Sequence, residues 1–213
     1  MVNNSALKLK YRIDKVLAAL LLILMLPLLL FTAAAIILES MVHPDTRGPV
    51  FIFDERISEG KFFRMIKFRT YFIQDDPNNA DKIGTANFIN DRAVTRTGWF
   101  LRKFYFDELP QLTNILISDM SFIGPRPVPE KQYQTVLEQG FRSKTMLRSG
   151  LGGPGQALKG QWVNGLGGLE ADEKLIELYA KGSALEIILI DLGIMWRTFK
   201  KIVEADGLED PNR

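Results

Sequence analysis

The first feature of the polarity pattern is a run without a single charge, Val16 to Leu38, 23 residues long. As one straight helix it would measure about 34 Å, enough to cross a hydrocarbon core. It is too long for the apolar region of a signal peptide. Pro27 divides it into two halves of 11 residues, each about 16 Å long and so about half a bilayer deep. From the residues alone, a plain span with a tolerated proline and a helix broken in mid-membrane both remain open. The pattern then changes period. Arg47 to Thr70 predicts a β-hairpin, with strands over Val50–Phe53 and Phe62–Phe68 and a turn at Ser58-Glu59-Gly60. Leu109, Leu112, Ile115 and Leu116 recur at helical spacing. Asp107 is the expected N-cap of that helix, with Pro110 in its first turn. A short helix over Ala171–Lys181 stops at Gly182, and a longer one over Ala184–Ala205 stops at Gly207.

Leu185, Ile188, Leu192, Met195, Trp196, Phe199 and Val203 give the last helix a broad apolar side, with Arg197, Lys200 and Lys201 near its end. That side suits either the domain core or a membrane surface. Gln74 to Arg92 is rich in Asp and Asn and reads as a surface loop. The expected fold is α+β and helix-dominated, in two parts: a membrane helix over 1–40 and a small globular domain with a β-hairpin over 41–213.

Composition narrows the chemistry. The chain has no cysteine and one histidine, His43, which removes thiol catalysis, disulfides and His-based metal clusters. Its net charge of +2 resides in the first 40 residues, where Lys8, Lys10, Arg12 and Lys15 face Asp14 and Glu39. The remainder balances 23 basic against 23 acidic residues, so nucleic-acid binding is not favoured.

The candidate chemistry centres on Arg102 to Pro127, and within it on Asp107 and Glu108. A carboxylate at a helix start meets unpaired N–H groups and the positive end of the dipole. Both favour the ionised form that a nucleophile or metal ligand needs; simple capping explains the same pair. Pro125-Arg126-Pro127 fixes the backbone on either side of one guanidinium, an arrangement suited to phosphate. Lys67 and Arg69 share a strand face by period 2 and could present two cations, or a solvated edge. Thr95 to Phe104 gathers Trp99, Phe100 and Phe104 beside Arg96, Arg102 and Lys103, which suits a membrane interface or ordinary core packing. Eight of the 17 glycines lie between Gly150 and Gly168, by themselves weak evidence of a ligand loop.

The segment FDELPQLTNILISDMSFIGPRP resembles the signature of the bacterial sugar transferases, the monotopic phosphoglycosyl transferases. It departs at Tyr105-Phe106, where that family usually has Ser-Leu. Tyr11-Arg12-Ile13-Asp14 and the proline-centred apolar run resemble the family's re-entrant helix, with Tyr11 at a usually basic position and Leu26 where serine is frequent. Gly-Pro-Val-Phe and Lys-Phe-Arg-Thr also match. Arg148, Gly150 and Gln156 match its Arg-Pro-Gly-Ile-Thr-Gly-x-x-Gln loop, although Ser149, Leu151, Gly152 and Pro154-Gly155 depart from it. Asp191 to Thr198 matches the closing helix, whereas the Asp-x-x-Tyr element near Tyr179 is poorly kept.

The resemblance implies that Asp107 attacks the sugar-linked phosphate of a UDP-sugar and expels UMP. Polyprenyl phosphate, of the undecaprenyl kind, would then take the phosphosugar from the aspartyl ester. Mg²⁺ would sit at Asp107, and Glu108 would position or deprotonate the second nucleophile. Arg126, with Arg69, Arg102, Arg148, Lys67 and Gln156, would bind phosphate or substrate. Pro27 would be the membrane break, which places the enzyme among membrane lipids on the cytoplasmic face of the bacterial inner membrane. The assembly, a homodimer included, is unassigned. The rivals are a membrane phosphohydrolase using the same carboxylate and Mg²⁺, and a non-catalytic membrane-anchored scaffold.

Overall fold

The computed structural model describes residues 4–72, 94–157 and 167–203, with the side chains of Gln156 and Ala157 and of 201–203 left aside. The expected loop Gln74–Arg92 therefore lies outside the described residues. Helix α1 runs from Asn4 to Val42 as one helix, and its assignment continues through Pro27. It is long and apolar enough to cross a membrane by length and composition, with only 11% of its most apolar window buried. That low burial separates it from the central helix of a water-soluble core. Leu20, Ile23, Leu24, Leu30 and Phe31 are 59–73% exposed, and leaving such side chains in water forfeits roughly 2 kcal/mol each.

Both halves of α1 are docked on the same globular body. Near its start, Lys10 is buried, with its ammonium 3.0 Å from both Asp14 Oδ2 and Asp191 Oδ2. The Ser121 hydroxyl accepts from Lys10 and donates to Asp14, and Tyr179 donates its hydroxyl proton to Asp191. Near its end, the Glu39 carboxylate accepts the backbone N–H groups of Arg96 and Thr97. Those are orphan donors at the start of α2 (Arg96–Lys103), so α1 caps α2 from outside.

The hairpin extends further than its hydrophobic pattern indicated. Strand β1 covers Phe51–Ser58 and pairs antiparallel with β2, Lys61–Phe68, in the register Phe51↔Phe68 to Ser58↔Lys61. The pattern placed only Val50–Phe53 in the first strand, because Asp54, Glu55 and Arg56 interrupt it. Glu59 and Gly60 both have positive φ (49° and 71°), the conformation of a two-residue type I′ turn that matches strand twist.

Asp107 is not the N-cap expected of it. It occupies a 3₁₀ turn, Phe106–Glu108, and α3 (Gln111–Leu116) begins only after Pro110. The proline lacks the N–H that capping would use and starts the next helix instead. Strand β3 (Met120–Ile123) follows α3, then α4 (Glu130–Glu138) and α5 (Ser143–Met146). Strand β4 (Ser149–Gly152) pairs parallel with β3, through Met120↔Ser149 and Ile123↔Gly152. This pairing brings backbones close: a Cβ on Gly124 would lie 2.1 Å from the Arg148 carbonyl oxygen, and one on Gly150 would lie 2.2 Å from Gly124 N. Only glycine fits at either position. Helices α6 (Pro154–Ala157), α7 (Gly167–Lys181) and α8 (Ala184–Val203) complete the order.

The main core joins α1 to everything else, through Ala6, Leu7 and Ala18 packed with Leu112, Ile115, Met120, Phe122, Leu147, Leu175 and Ile187. A second cluster, Ile36, Phe68 and Leu101, receives Leu29 and Ala33 of α1 together with Phe106. The 3₁₀ turn bearing Asp107 is thus pinned between the apolar helix α1 and the open end of the hairpin.

Candidate active site

Tyr105, at φ 58°, is one of three non-glycine residues with positive φ among the described residues. It reverses the chain after α2 and turns Asp107 inward, leaving it 9% exposed. On the facing hairpin, Asp54 and Lys67 lie on the same side, because Asp54 pairs with Met65 and Lys67 follows two residues later. Lys67 Nζ lies 2.7 Å from Glu108 Oε1. A side-chain strut fixes this register: the fully buried Asn114 of α3 accepts from Ile66 N at 3.0 Å and donates to the Arg64 carbonyl at 2.8 Å. An edge strand is thereby bonded to the helix that follows the dyad.

Electrostatics separates the two carboxylates. Burial, and then the charge of Glu108, push the Asp107 carboxyl up to about 7, against the opposing pull of Lys67 and Arg102. Burial also works against charge on Glu108, but Lys67, Arg126 and the Gln111 amide outweigh it and hold that carboxyl below its ordinary value. Lys67 is the mirror case: burial disfavours its charge, and Glu108, Asp107 and Asp54 more than restore it. Helix-start stabilisation of an ionised Asp107, expected from the sequence, is overridden by burial beside a second carboxylate. Asp54 is raised as well, by burial, despite Arg56 Nη2 at 3.3 Å and the nearby Lys67.

The structure sorts the expected cations. Arg102 lies beside Asp107, and its Nη1 is buried with no hydrogen-bond partner among the described residues. Arg126 is exposed in the Pro-Arg-Pro turn, and its charge reaches Glu108. Lys144 holds that turn from behind, donating to the Arg126 carbonyl at 2.9 Å and pairing with Asp172 at 3.4 Å. Arg69 is not presented with Lys67. It is 2% exposed and spends its guanidinium on the Pro49 carbonyl (2.8 Å), the Tyr71 carbonyl (3.1 Å) and Ser40 Oγ (3.1 Å). β2 ends at Phe68, so the period-2 argument no longer holds at Arg69. Arg148 is also elsewhere, with its Nε 3.3 Å from Glu59 Oε2 and its guanidinium 4.1 Å from the centre of the Tyr11 ring. That is the turn end of the hairpin, roughly 20 Å along β2 from Lys67. Gln156 lies in α6, and its side chain is outside the described residues.

Three residues of the site were not singled out in the sequence. Asp54 could have been found from the alternation Ile52, Asp54, Arg56, which puts two charges on the inward face. Gln111 and Lys144 carry no such signal; only the fold brings them to Glu108 and to the Arg126 turn.

A buried carboxylate pair with Lys67 bonded to it and the charges of Arg102 and Arg126 beside it, on a body carrying a helix apolar and long enough to cross a membrane, is a site whose cations suit phosphate. The bacterial sugar transferase family model matches residues 5–205, and the chain belongs to that family. It is 35% identical over 199 residues to a UDP-glucose:undecaprenyl-phosphate glucose-1-phosphate transferase of Klebsiella pneumoniae, covering 88% of this chain and 38% of that protein. A protein of the same description from Caulobacter vibrioides is 34% identical over 198 residues, covering 91% and 66% respectively. A UDP-N-acetylgalactosamine-undecaprenyl-phosphate N-acetylgalactosaminephosphotransferase of Aeromonas hydrophila is 33% identical over 195 residues, covering 85% and 40%. The chain thus spans between about two fifths and two thirds of the length of these relatives.

Proposed function

We propose that this protein moves a phosphosugar from a UDP-sugar to polyprenyl phosphate, releasing UMP, by way of a covalent ester on Asp107. The observation that carries this reading is the Asp107–Glu108–Lys67 cluster, with Arg102 and Arg126 beside it, in a chain of this family. In the first step an Asp107 carboxylate oxygen attacks the sugar-bearing phosphorus. The bond from that phosphorus to the bridging oxygen breaks, and the electron pair leaves on UMP. In the second step a polyprenyl phosphate oxygen attacks the same phosphorus, freeing Asp107 and giving the polyprenyl diphosphate sugar.

The residues divide this work. Arg102 and Arg126 neutralise phosphate oxygens, and Lys144 holds the backbone from which Arg126 projects. Glu108, tied to Lys67, positions that ammonium and positions or deprotonates the second nucleophile. Lys67 keeps the neighbouring Asp107 within reach of ionisation. The donor set suits Mg²⁺: hard carboxylate oxygens, with a raised Asp107 whose repulsion from Glu108 a cation would relieve. No group of three or more His, Cys, Asp or Glu fit to hold a metal occurs among the described residues. Asp107 would therefore hold Mg²⁺ jointly with substrate phosphates, a common arrangement for this ion. Bound there, it would supply charge neutralisation at the phosphate.

The docking of both ends of α1 on one body supports entry and exit on a single side, the cytoplasmic face, where UDP-sugars are made. The test is a panel of UDP-sugars with undecaprenyl phosphate, following UMP and lipid-linked sugar together, with mass spectrometry of the Asp107 peptide after UDP-sugar alone. UMP with a prenyl-linked sugar and a phosphosugar adduct is the expected result. UMP without any lipid product would make the protein a hydrolase, and an unmodified peptide under full turnover would replace covalent transfer by direct attack.

A further inference from the structure

The aromatic cluster beside the dyad has no part in the steps above. Phe100, Phe104 and Phe106 form a triangle with ring centroids 5.1, 6.2 and 6.0 Å apart. Phe100 is 49% exposed, and the other two are half-buried. Phe106 immediately precedes Asp107 and packs with Leu29 and Ala33 of α1 against the Ile36–Phe68–Leu101 cluster. The triangle therefore runs from the nucleophile to the membrane helix, whose neighbouring Leu30 and Phe31 are 62% and 73% exposed. Arg102, two residues from both Phe100 and Phe104, lies beside Asp107, and its buried Nη1 has no hydrogen-bond partner among the described residues.

We propose that the Phe100–Phe104–Phe106 face seats the first isoprene units of the polyprenyl phosphate acceptor, with Arg102 receiving its phosphate. This rests on the transfer reading given above. An acceptor for that reaction must bring a phosphate to a phosphorus on Asp107 while its hydrocarbon chain stays out of water. Only an apolar surface continuous from the dyad to the lipid-facing helix meets both demands, and the three rings supply it. Branched isoprene units pack on aromatic faces by dispersion and area burial. Arg102 Nη1, which has no hydrogen-bond partner among the described residues, gains an anionic acceptor in the complex.

The experiment measures KM for both substrates with undecaprenyl phosphate presented in detergent micelles and in vesicles, for the parent, Phe100→Ala and Phe106→Leu. The expected result is a rise of roughly tenfold in KM for undecaprenyl phosphate in both settings, the loss of one well-packed ring contact. KM for the UDP-sugar should stay within about twofold, since this assignment gives the rings to the acceptor alone. Phe106→Leu keeps an apolar core side chain, so it separates the loss of a ring face from failure to fold. An equal rise in both KM values would overturn the assignment in favour of a structural role. So would a defect seen only in vesicles together with loss of the protein from the membrane, which would make the cluster a bilayer anchor. If the parent forms no prenyl-linked product in either setting, the transfer reading itself fails, an outcome distinct from unchanged KM values in active variants.

Discussion

Lys67 Nζ lies 2.7 Å from Glu108 Oε1, and this contact joins the hairpin to the dyad turn. One ammonium is shared electrostatically among three carboxylates, Glu108, Asp107 and Asp54. Glu108 holds the direct bond and stays ionised, which leaves Asp107 to carry the cost of a second buried charge. The asymmetry gives two chemically identical groups different tasks.

Replacing Asp107 with asparagine tests both halves of that statement. Loss of a nucleophile costs at least about a thousandfold in turnover, and UMP release should fall accordingly. The fold should be strengthened. Because burial raises the Asp107 carboxyl to about 7, its favourable contribution belongs to the protonated form and is lost as pH rises through about 7. At pH 8 the variant should gain on the order of 2 kcal/mol over the parent, read as a higher denaturation midpoint. Activity within tenfold of the parent would sink covalent catalysis at this residue.

Donor turnover should also report the same group. The attacking carboxylate must be ionised, so kcat/KM for the UDP-sugar should climb across an acid limb centred near 7. A limb near the ordinary aspartate value of about 4 would show that the free enzyme holds Asp107 ionised throughout.

Lys67→Met removes the cation that opposes proton uptake by Asp107 and leaves Glu108 buried without its partner. The acid limb should move to higher pH, and stability should fall by about 1–3 kcal/mol, discounted because both side chains are partly exposed (15% and 20%). A variant with an unshifted limb and a lower KM would show that Lys67 does not act on Asp107.

Asn114→Ala would leave the Ile66 N–H and the Arg64 carbonyl without their side-chain partner. A cost of about 2 kcal/mol is expected in chemical denaturation. Because Lys67 follows Ile66 directly, kcat should fall more than the loss of folded protein accounts for. Normal kcat per folded molecule would mean that the hairpin register is set without this strut.

The docking of both ends of α1 on one body gives a topological test. The chain has no cysteine, so single cysteines at Asn4 and Asp45 report their side of the membrane without background. Both should resist an impermeant thiol reagent in intact cells and react after lysis, as cationic Lys8, Lys10, Arg12 and Lys15 favour the cytoplasmic side. Pro27→Leu should increase labelling at Asp45 from outside and lower activity with it. Outside labelling of Asp45 in the parent would exclude the single-sided arrangement and the function that depends on it.

The apolar run, the existence of the hairpin and the Asp107-Glu108 pair were legible in the sequence because each is a local pattern: a run, an alternation, a signature. The extent of β1 was not, since Asp54 and Arg56 look like a loop until Lys67 and Glu108 are placed opposite them. Nor was the state of Asp107. A helix start would have kept it ionised, but Pro110 begins α3 too late to cap, and burial beside Glu108 decides in the other direction. Arg69 and Arg148 show the same limit. Sequence marked both as cations near matching motifs, whereas the tertiary structure spent one on backbone carbonyls and set the other against Tyr11 and Glu59. Charge type is written in the chain; which partner takes up a charge, as Glu108 does for Lys67, is decided only when distant segments meet.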